Sequence, residues 1–212
     1  MAQITQISPQ KKNEQRFNVF LDGNFAFGIS AELKNSFELV TGRQLSDLEL
    51  EEIKKALKKD HVFSKALNYL SYRPRSEFEM RQYLKRQSSN IDEQEIESII
   101  ESLKNYRYIN DQTFAEWYVR QRREMGRRYG AYRITQELFQ KGISKELIDQ
   151  AIAQSRQDIG EDELVQEEMG KLLRKIQEAD PYKKKKKIYD RLMRKGFSFE
   201  VIQRIYQQFG QE

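Results

Sequence analysis

The stretch LNYLSYRPRSEFEMRQYL, residues 67–84, decides the fold because its apolar spacing returns twice further along the chain. Met80 and Leu84 lie four positions apart and therefore on one face of a helix. The same pair returns after successive steps of 54 residues, as Ile134 with Leu138 and as Ile188 with Leu192. A fixed period of this kind is typical of repeat arrays, in which each unit buries its apolar face against its neighbours.

A helix end and a new helix start follow each apolar pair. Gly142 and Gly196 come four residues after the second and third leucine, where glycine favours the left-handed conformation that ends helices. An apolar residue then precedes the Asp or Ser at which the next helix begins, which is typical of a hydrophobic staple. These dipeptides are Ile91-Asp92, Ile143-Ser144 and Phe197-Ser198.

The sequence therefore predicts a mainly α protein, built as a tandem array of three three-helix repeats that resemble helix-turn-helix units. We expect the array to be elongated and curved, with a small N-terminal cap that contains a β-hairpin. The expected segments are an N-terminal extension at 1–60, repeat one at 61–109, repeat two at 110–155 and repeat three at 156–212.

The N-terminal extension has the pattern of strands, predicted at 3–8 and 16–29. Asp22-Gly23 is typical of a type I′ hairpin turn, and Phe25 and Phe27 are expected on one face. This unit is expected to cover the end of the array, or alternatively to bind a partner. Helices are predicted to open near Ser30 and at Ser46-Asp47, and repeat one is expected to have a separate first helix at 62–70.

In repeat one, a break is predicted at Arg73-Pro74, because a residue before proline avoids α-helical geometry. Ser76 and Glu79 have the spacing of a capping box that opens the second helix. In repeat two, Trp117 is expected in the core, alongside other aromatic residues of the same helix.

Composition disfavours several classes of function. The chain has no cysteine and one histidine, so disulfides, thiolate metal sites and cysteine nucleophiles are excluded, and we expect no metal site and no cofactor. No nucleophile elbow, P-loop or dinucleotide fingerprint is present, so an enzyme is not expected. No apolar run approaches the roughly 18 residues of a membrane span. We expect a monomeric cytoplasmic protein that does not contact membranes.

The net charge of +5 is concentrated in the second half of the chain. Residues 113–154 have eight basic and five acidic side chains, residues 155–212 have thirteen and eleven, and the earlier segments are balanced. Basic residues also precede the apolar pair of every repeat, so we predict a continuous binding stripe for a polyanion or an acidic protein groove. Its candidate residues are Arg73, Arg75, Arg120, Arg122, Arg123, Arg127, Arg128, Tyr129, Tyr132, Arg133, Lys183, Lys184, Lys185, Lys186 and Lys187. The other interpretation is that these arginines serve only solubility.

The string LSYRPRSEFEMR at 70–81 resembles the RecX family, bacterial regulators of the RecA recombinase. The strings YIND at 108–111, with Phe114-Ala115, and GAYRITQEL at 130–138, with Lys141-Gly142-Ile143, are similar to the same family. The resemblance is close over 62–152 and looser in repeat three. Residues 1–60, with LDGNFAFGI, look like the N-terminal extension of longer RecX proteins.

The resemblance implies a protein that lies in the helical groove of the RecA–DNA filament and inhibits strand exchange, ATP hydrolysis and coprotease activity. It implies roles in DNA repair, homologous recombination and the SOS response. The residues alone leave two alternatives open, a direct nucleic-acid-binding protein of helix-turn-helix type and a repeat protein without specific partners.

Overall fold

The computed structural model describes residues 1–11, 13–87, 92–124, 128–158 and 160–209. This part of the chain is mainly helical, with four strands and ten helices. Ile91 and Arg127, which the sequence analysis singled out, lie outside it. Within the described residues no helix is both long and apolar enough to cross a membrane. The chain divides into two compact units, Met1–Tyr69 with Gln87–Ile99, and Leu70–Arg86 with Ile100–Glu212.

The first unit begins with an antiparallel sheet of order β3-β2-β1-β4. The strands are β1 (Ala2–Gln10), β2 (Asn13–Leu21), β3 (Asn24–Ser30) and the short β4 (Gln44–Leu45). Asp22 and Gly23 have φ values of 48° and 83°, which confirms the predicted hairpin turn. A core of buried residues forms on this sheet: Ile4, Val19, Ile29, Leu39, Leu45 and Ile53.

The expected common face of Phe25 and Phe27 is wrong. Val19 pairs with Phe27 and Phe20 with Phe25, so Ala26 is an extra residue in β3. Such a bulge reverses the alternation of side chains across it. Phe27 therefore packs against the core, whereas Phe25 is 60% exposed and its ring contacts Phe20 at 5.8 Å between centroids.

Two helices of the first unit lie before and after β4 in the sequence. Helix α1 (Ala31–Ser36) is capped by Ser30, as predicted. Helix α2 (Asp47–Ser71) runs for 25 residues without a break, so the expected separate helix at 62–70 is wrong. Between 47 and 71 the sequence has no glycine or proline, and hence no residue that would stop a helix once it has started.

The remaining eight helices follow the predicted repeat pattern. They are α3 (Glu77–Gln87), α4 (Glu93–Asn105), α5 (Asp111–Arg123), α6 (Ala131–Phe139), α7 (Lys145–Asp158), α8 (Glu161–Lys175), α9 (Pro181–Arg194) and α10 (Phe199–Phe209). All six residues of the 54-residue pairs are 0% exposed. Gly142 and Gly196 have φ values of 75° and 90°, as expected for helix C-termini.

Repeats two and three each have a core of their own. Phe114, Tyr118, Ile134 and Leu138 belong to the core of repeat two, and Trp117 packs against it as predicted. Repeat three buries an equivalent set, with Ile188, Leu192, Phe197 and Ile202 among its members. The staple pairs Ile143 with Ile148, and Phe197 with Ile202, are therefore buried within these cores.

The start of α3 is held by Ser76, whose hydroxyl accepts a hydrogen bond from the Glu79 amide at 3.1 Å. This confirms the N-cap. The Glu79 carboxylate, however, accepts hydrogen bonds from Arg73 and Lys141, so it is engaged in pairing across the chain rather than in the local capping box.

Successive repeats meet through one recurring junction. The Ser76 hydroxyl donates to the Lys141 carbonyl at 2.8 Å, and 54 residues later the Gly130 amide donates to the Lys195 carbonyl at 2.9 Å. In each case the start of one middle helix contacts the end of the next. A Cβ on Gly130 would overlap the Gly196 carbonyl, so only glycine permits the closer second junction.

Candidate functional site

The arginine-rich segment starts in the last turn of α5 and ends in the first turn of α6. Two of its candidate residues are not on the surface. Arg123 is 1% exposed, and Tyr129 is 8% exposed and belongs to the core of repeat two. A buried side chain cannot reach an external partner, so we revise the predicted binding role of Arg123 and Tyr129 to a structural one.

Glu137 draws two further arginines of this segment into an internal network. Its carboxylate lies 2.9 Å from Arg122 Nε and 3.2 Å from Arg133 Nε, and it accepts a hydrogen bond from the Tyr118 hydroxyl at 2.8 Å. Arg133 also lies 3.9 Å from the centroid of the Tyr129 ring. Burial opposes ionisation of Glu137, but the hydrogen bonds from Tyr118 and Arg133 and the charge of Arg122 outweigh it and lower the pKa.

The remaining described candidates of the segment differ in their exposure and in their ion pairs. Arg128 pairs with Glu167 of repeat three and has a φ of 47°. Arg120 has a side chain that is 67% exposed and lies 3.7 Å from Glu124, which is a weak surface pair. Tyr132 is 71% exposed. Arg120 and Tyr132 are therefore the most accessible of the described candidates in this segment.

The candidates of repeat one lie before α3. Arg73 donates two hydrogen bonds to Glu79, each 2.9 Å long, in the fork geometry of a bidentate pair. Burial raises the pKa of Glu79, but the hydrogen bonds and charges of Arg73 and Lys141 outweigh burial and lower it to about 2. Arg75 is half-buried. Arg73 thus has a structural partner already, although a third of its side chain, 32%, stays exposed.

The lysine segment at 183–187 occupies the first turns of α9. Asp180 caps this helix by accepting hydrogen bonds from the amides of Tyr182 and Lys183. Lys187 pairs with Glu178 at 2.5 Å, and Lys185 lies 5.4 Å and 5.3 Å from the ring centroids of Tyr189 and Tyr206. In the described part of the chain, Lys184 and Lys186 have no ion pair.

The position of these lysines is unfavourable for helix stability. The N-terminal end of a helix carries a partial positive charge, so cations there lose about 0.3–1 kcal/mol each relative to neutral residues. Helix α9 nevertheless has seven basic residues and a single acidic one, Asp190. The N-terminal half of α9 therefore carries a concentration of positive charge that the helix dipole does not favour.

The structure thus separates two kinds of basic residue that the sequence analysis had placed in one stripe. The arginines of repeat two are mostly bound by carboxylates or buried, whereas the lysines of α9 are mostly exposed. The sequence of the segment does not reveal this distinction, because the arginine partners, Glu137 and Glu167, lie outside it. Glu137 had one local signal, since it follows Arg133 by four positions on one helix face.

The accessible candidates of the two segments are lysine amines, one guanidinium and one phenol ring. Within the described residues, no group of acidic, His or Cys side chains could hold a metal ion. The exposed amines and the phenol ring of Tyr132 can bind phosphates or carboxylates and contact flat or apolar groups.

Comparison with known proteins gives matches along nearly the whole chain. Residues 2–46 match the regulatory protein RecX N-terminal domain. Residues 63–103, 110–152 and 160–206 match the first, second and third three-helix domains of RecX.

Individual relatives agree with these matches. The regulatory protein RecX of Bacillus subtilis is 37% identical over 202 residues, which cover 95% of this chain and 75% of the relative. That of Bacillus pumilus is 38% identical over 216 residues, covering 100% and 80%. A crystal structure of regulatory protein RecX has a TM-score of 0.79 at 30% identity, and the match covers 98% of this chain and 100% of that one.

Proposed function

Because the chain belongs to the RecX family of regulatory proteins, we propose that it modulates RecA, mainly as an inhibitor, by binding in the groove of the RecA–DNA filament. It acts in this proposal as a non-catalytic monomer in the cytoplasm, where it encounters the filament. The observation that carries the proposal is the match of all four RecX domains, in order, within one chain.

The exposed basic residues support the proposed docking. Lys183 and Lys186 on α9 are exposed, and Lys184 is half-buried. With Arg120 and Tyr132 of repeat two, they supply positive charge and one aromatic surface. A RecA–DNA filament offers phosphates and protein carboxylates to such a surface. Arg122, Arg128 and Arg133 contribute mainly to the fold, because Arg122 and Arg133 pair with Glu137 inside repeat two and Arg128 pairs with Glu167 of repeat three. Arg73 is paired with Glu79 but keeps 32% of its side chain exposed. This interpretation moves the predicted stripe from the arginines toward α9.

The second candidate function is direct binding to nucleic acid. It is favoured by Lys184 and Lys186, which lack a carboxylate partner in the described part of the chain and are therefore available to phosphates. The two functions differ in the affinity expected for bare DNA. Binding that depends only on phosphate contacts is strong on bare strands at low salt and falls steeply as salt rises.

The test combines two measurements. The first is the rate of RecA ATP hydrolysis on single-stranded DNA with and without the protein, and we expect inhibition. The second compares affinity for RecA-coated and bare single-stranded DNA at one salt concentration, and we expect the coated strand to bind more tightly. Equal affinity for both would refute filament docking and favour the second function. An unchanged ATPase rate would refute the inhibitory role.

Charge reversal on α9 tests whether this helix forms the docking surface for the filament. Lys184→Glu/Lys186→Glu should weaken filament binding by about 4- to 900-fold, since each reversal removes one attraction and adds one repulsion, each of about 0.2–1 kcal/mol. The matched control is Lys54→Glu/Lys55→Glu, which reverses two exposed lysines on α2. An equal loss in both variants would show that only net charge matters and would refute α9 as the docking surface.

A further inference from the structure

A groove of about 430 Å³ lies before the start of α3, outside the arginine-rich segment of repeat two and the lysine segment of α9. It brings together two stretches that are far apart in sequence, the segment after α2 and the loop after α4. The side chains that matter here are Tyr72, Arg73, Arg75, Arg107 and Tyr108. A volume of this size accommodates a small molecule or one monomer of a polymer.

Two aromatic rings border the groove and are open to solvent. Tyr72 is 77% exposed and Tyr108 is 53% exposed. Neither ring belongs to either helical-repeat core of the described chain. Exposing an aromatic ring to water is unfavourable, so two exposed rings beside a charged groove indicate a binding role for the groove. Their open faces can stack on planar groups.

The charge of the groove is entirely positive. Three arginines line it, and none of its described lining residues is aspartate or glutamate. Arg73 is held in place by its bidentate pair with Glu79 and by its hydrogen bond to the Pro74 carbonyl, and 32% of its side chain stays exposed. Arg107 is exposed and has no ion pair within the described residues.

The backbone at Arg107 strengthens this assignment. The Tyr108 amide donates to the Leu103 carbonyl and the Arg107 amide to the Lys104 carbonyl, both at 2.8 Å, which is the hydrogen-bond pattern of a Schellman helix end. Arg107 has a φ of 58° at the position of that motif where glycine is the low-energy residue. The chain has glycine at two other helix ends, Gly142 and Gly196, yet here it has an arginine despite the backbone strain.

We propose that this groove binds single-stranded nucleic acid, with a base stacked on Tyr108 or Tyr72 and the adjoining phosphate bound by Arg107 and Arg73. Arginines beside open aromatic faces are the combination that single-strand binding proteins use. An acidic protein segment would satisfy the arginines but not the rings, and a duplex keeps its bases stacked inside the helix. The inference rests on the proposed function, which brings the protein against a RecA-coated strand, although its test needs no RecA.

The test measures binding of the full chain to a fluorescein-labelled oligo-thymidine strand by fluorescence anisotropy. Tyr108→Ala should weaken binding by about 5- to 150-fold, the range for loss of one stacked base, without changing the salt slope. Tyr108→Phe should bind like the wild type, because the ring face remains. Arg107→Asn removes the charge while tolerating positive φ, and it should lower the log–log salt slope by about 0.7, equivalent to one phosphate on a single strand.

Two control variants lie outside the groove. Tyr106→Ala removes a 63% exposed ring that is 6.1 Å from Tyr108 but does not line the groove. Arg86→Gln removes one exposed arginine from α3. Both should bind like the wild type. Thermal unfolding followed by circular dichroism checks that every variant is folded, which we expect because all the substituted side chains are wholly or largely at the surface.

The outcomes distinguish this inference from the proposed function. Strand binding that is unchanged in Tyr108→Ala and Arg107→Asn, equally weakened in the controls, or undetectable at about 50 mM salt would overturn the groove as a nucleic-acid site. In the first case an acidic protein segment becomes the better occupant. If the groove variants lose strand binding as expected while RecA ATP hydrolysis is unaffected by the wild type, the proposed RecA regulation fails and the groove assignment stands.

Discussion

Replacing Glu79 by glutamine tests how much one carboxylate contributes to the junction between repeats one and two. Glu79 accepts two hydrogen bonds from Arg73 at 2.9 Å and one from Lys141 at 2.7 Å, and its side chain is 15% exposed. These contacts lower the pKa of Glu79 from 4.5 to about 2. At 1.36 kcal/mol per pKa unit, the ionised form stabilises the folded protein by about 3 kcal/mol at neutral pH.

The pH dependence follows from the direction of the shift. A carboxyl group with a lower pKa in the folded protein contributes stability above its unfolded pKa and loses it as the pH falls toward its folded pKa. The contribution of Glu79 should therefore be complete above about pH 5.5 and decline between 4.5 and 2. At pH 3 about 1.4 kcal/mol should remain, since the pH is then one unit above the folded pKa.

The assay is urea unfolding of the wild type and Glu79→Gln at pH 7 and pH 3. We expect a difference in unfolding free energy of about 3 kcal/mol at pH 7 that shrinks by more than half at pH 3. The control Glu101→Gln removes an exposed carboxylate on α4 and should change stability by less than about 0.5 kcal/mol. A loss of less than about 1 kcal/mol at pH 7, or an equal loss at both pH values, would refute the calculation.

Three other predictions concern the repeats themselves, each measured as the urea unfolding free energy. Alanine at any of the three repeat leucines should lower the free energy of unfolding by about 2–5 kcal/mol. The surface control Gln94→Ala should lower it by less than about 0.5 kcal/mol. Equally small losses at all three leucines would contradict the predicted repeat register. The three leucines are Leu84, Leu138 and Leu192. Gly130→Ala should destabilise the protein because its Cβ would overlap the Gly196 carbonyl, whereas Gly160→Ala, whose Cβ meets nothing within 4 Å, should be neutral. Arg123→Ala should cost more than about 2 kcal/mol and Arg120→Ala less than about 0.5 kcal/mol, and similar losses would contradict the burial of Arg123.

The repeat organisation could be predicted from the sequence because its signals are local. The apolar pairs from Met80 to Leu192 recur at a fixed period and lie on one helix face, and all are fully buried in the structure. Asp22-Gly23, Gly142 and Gly196 adopt the positive φ angles expected from their residue types. Each of these features depends on a few neighbouring residues, so the local sequence was sufficient to predict them.

The continuity of α2 and the bulge in β3 were harder to predict. All residues between 47 and 71 are compatible with a helix, so α2 continues through the position where the 54-residue repeat predicts that a new helix begins. The bulge at Ala26 depends on how β3 pairs with β2, and a single strand does not determine its pairing register alone.

The candidate site depended on tertiary structure. The run of arginines from Arg120 looked unpaired, because its main carboxylate partners, Glu137 and Glu167, come from a later helix and from the next repeat. Packing buried Arg123 and engaged Arg122, and it left the lysines of α9 as the accessible charge. Helix periodicity is set by neighbours along the chain, whereas these ion pairs depend on distances that exist only after the helices and repeats have packed. For that reason the sequence predicted the repeats but not the surface they present.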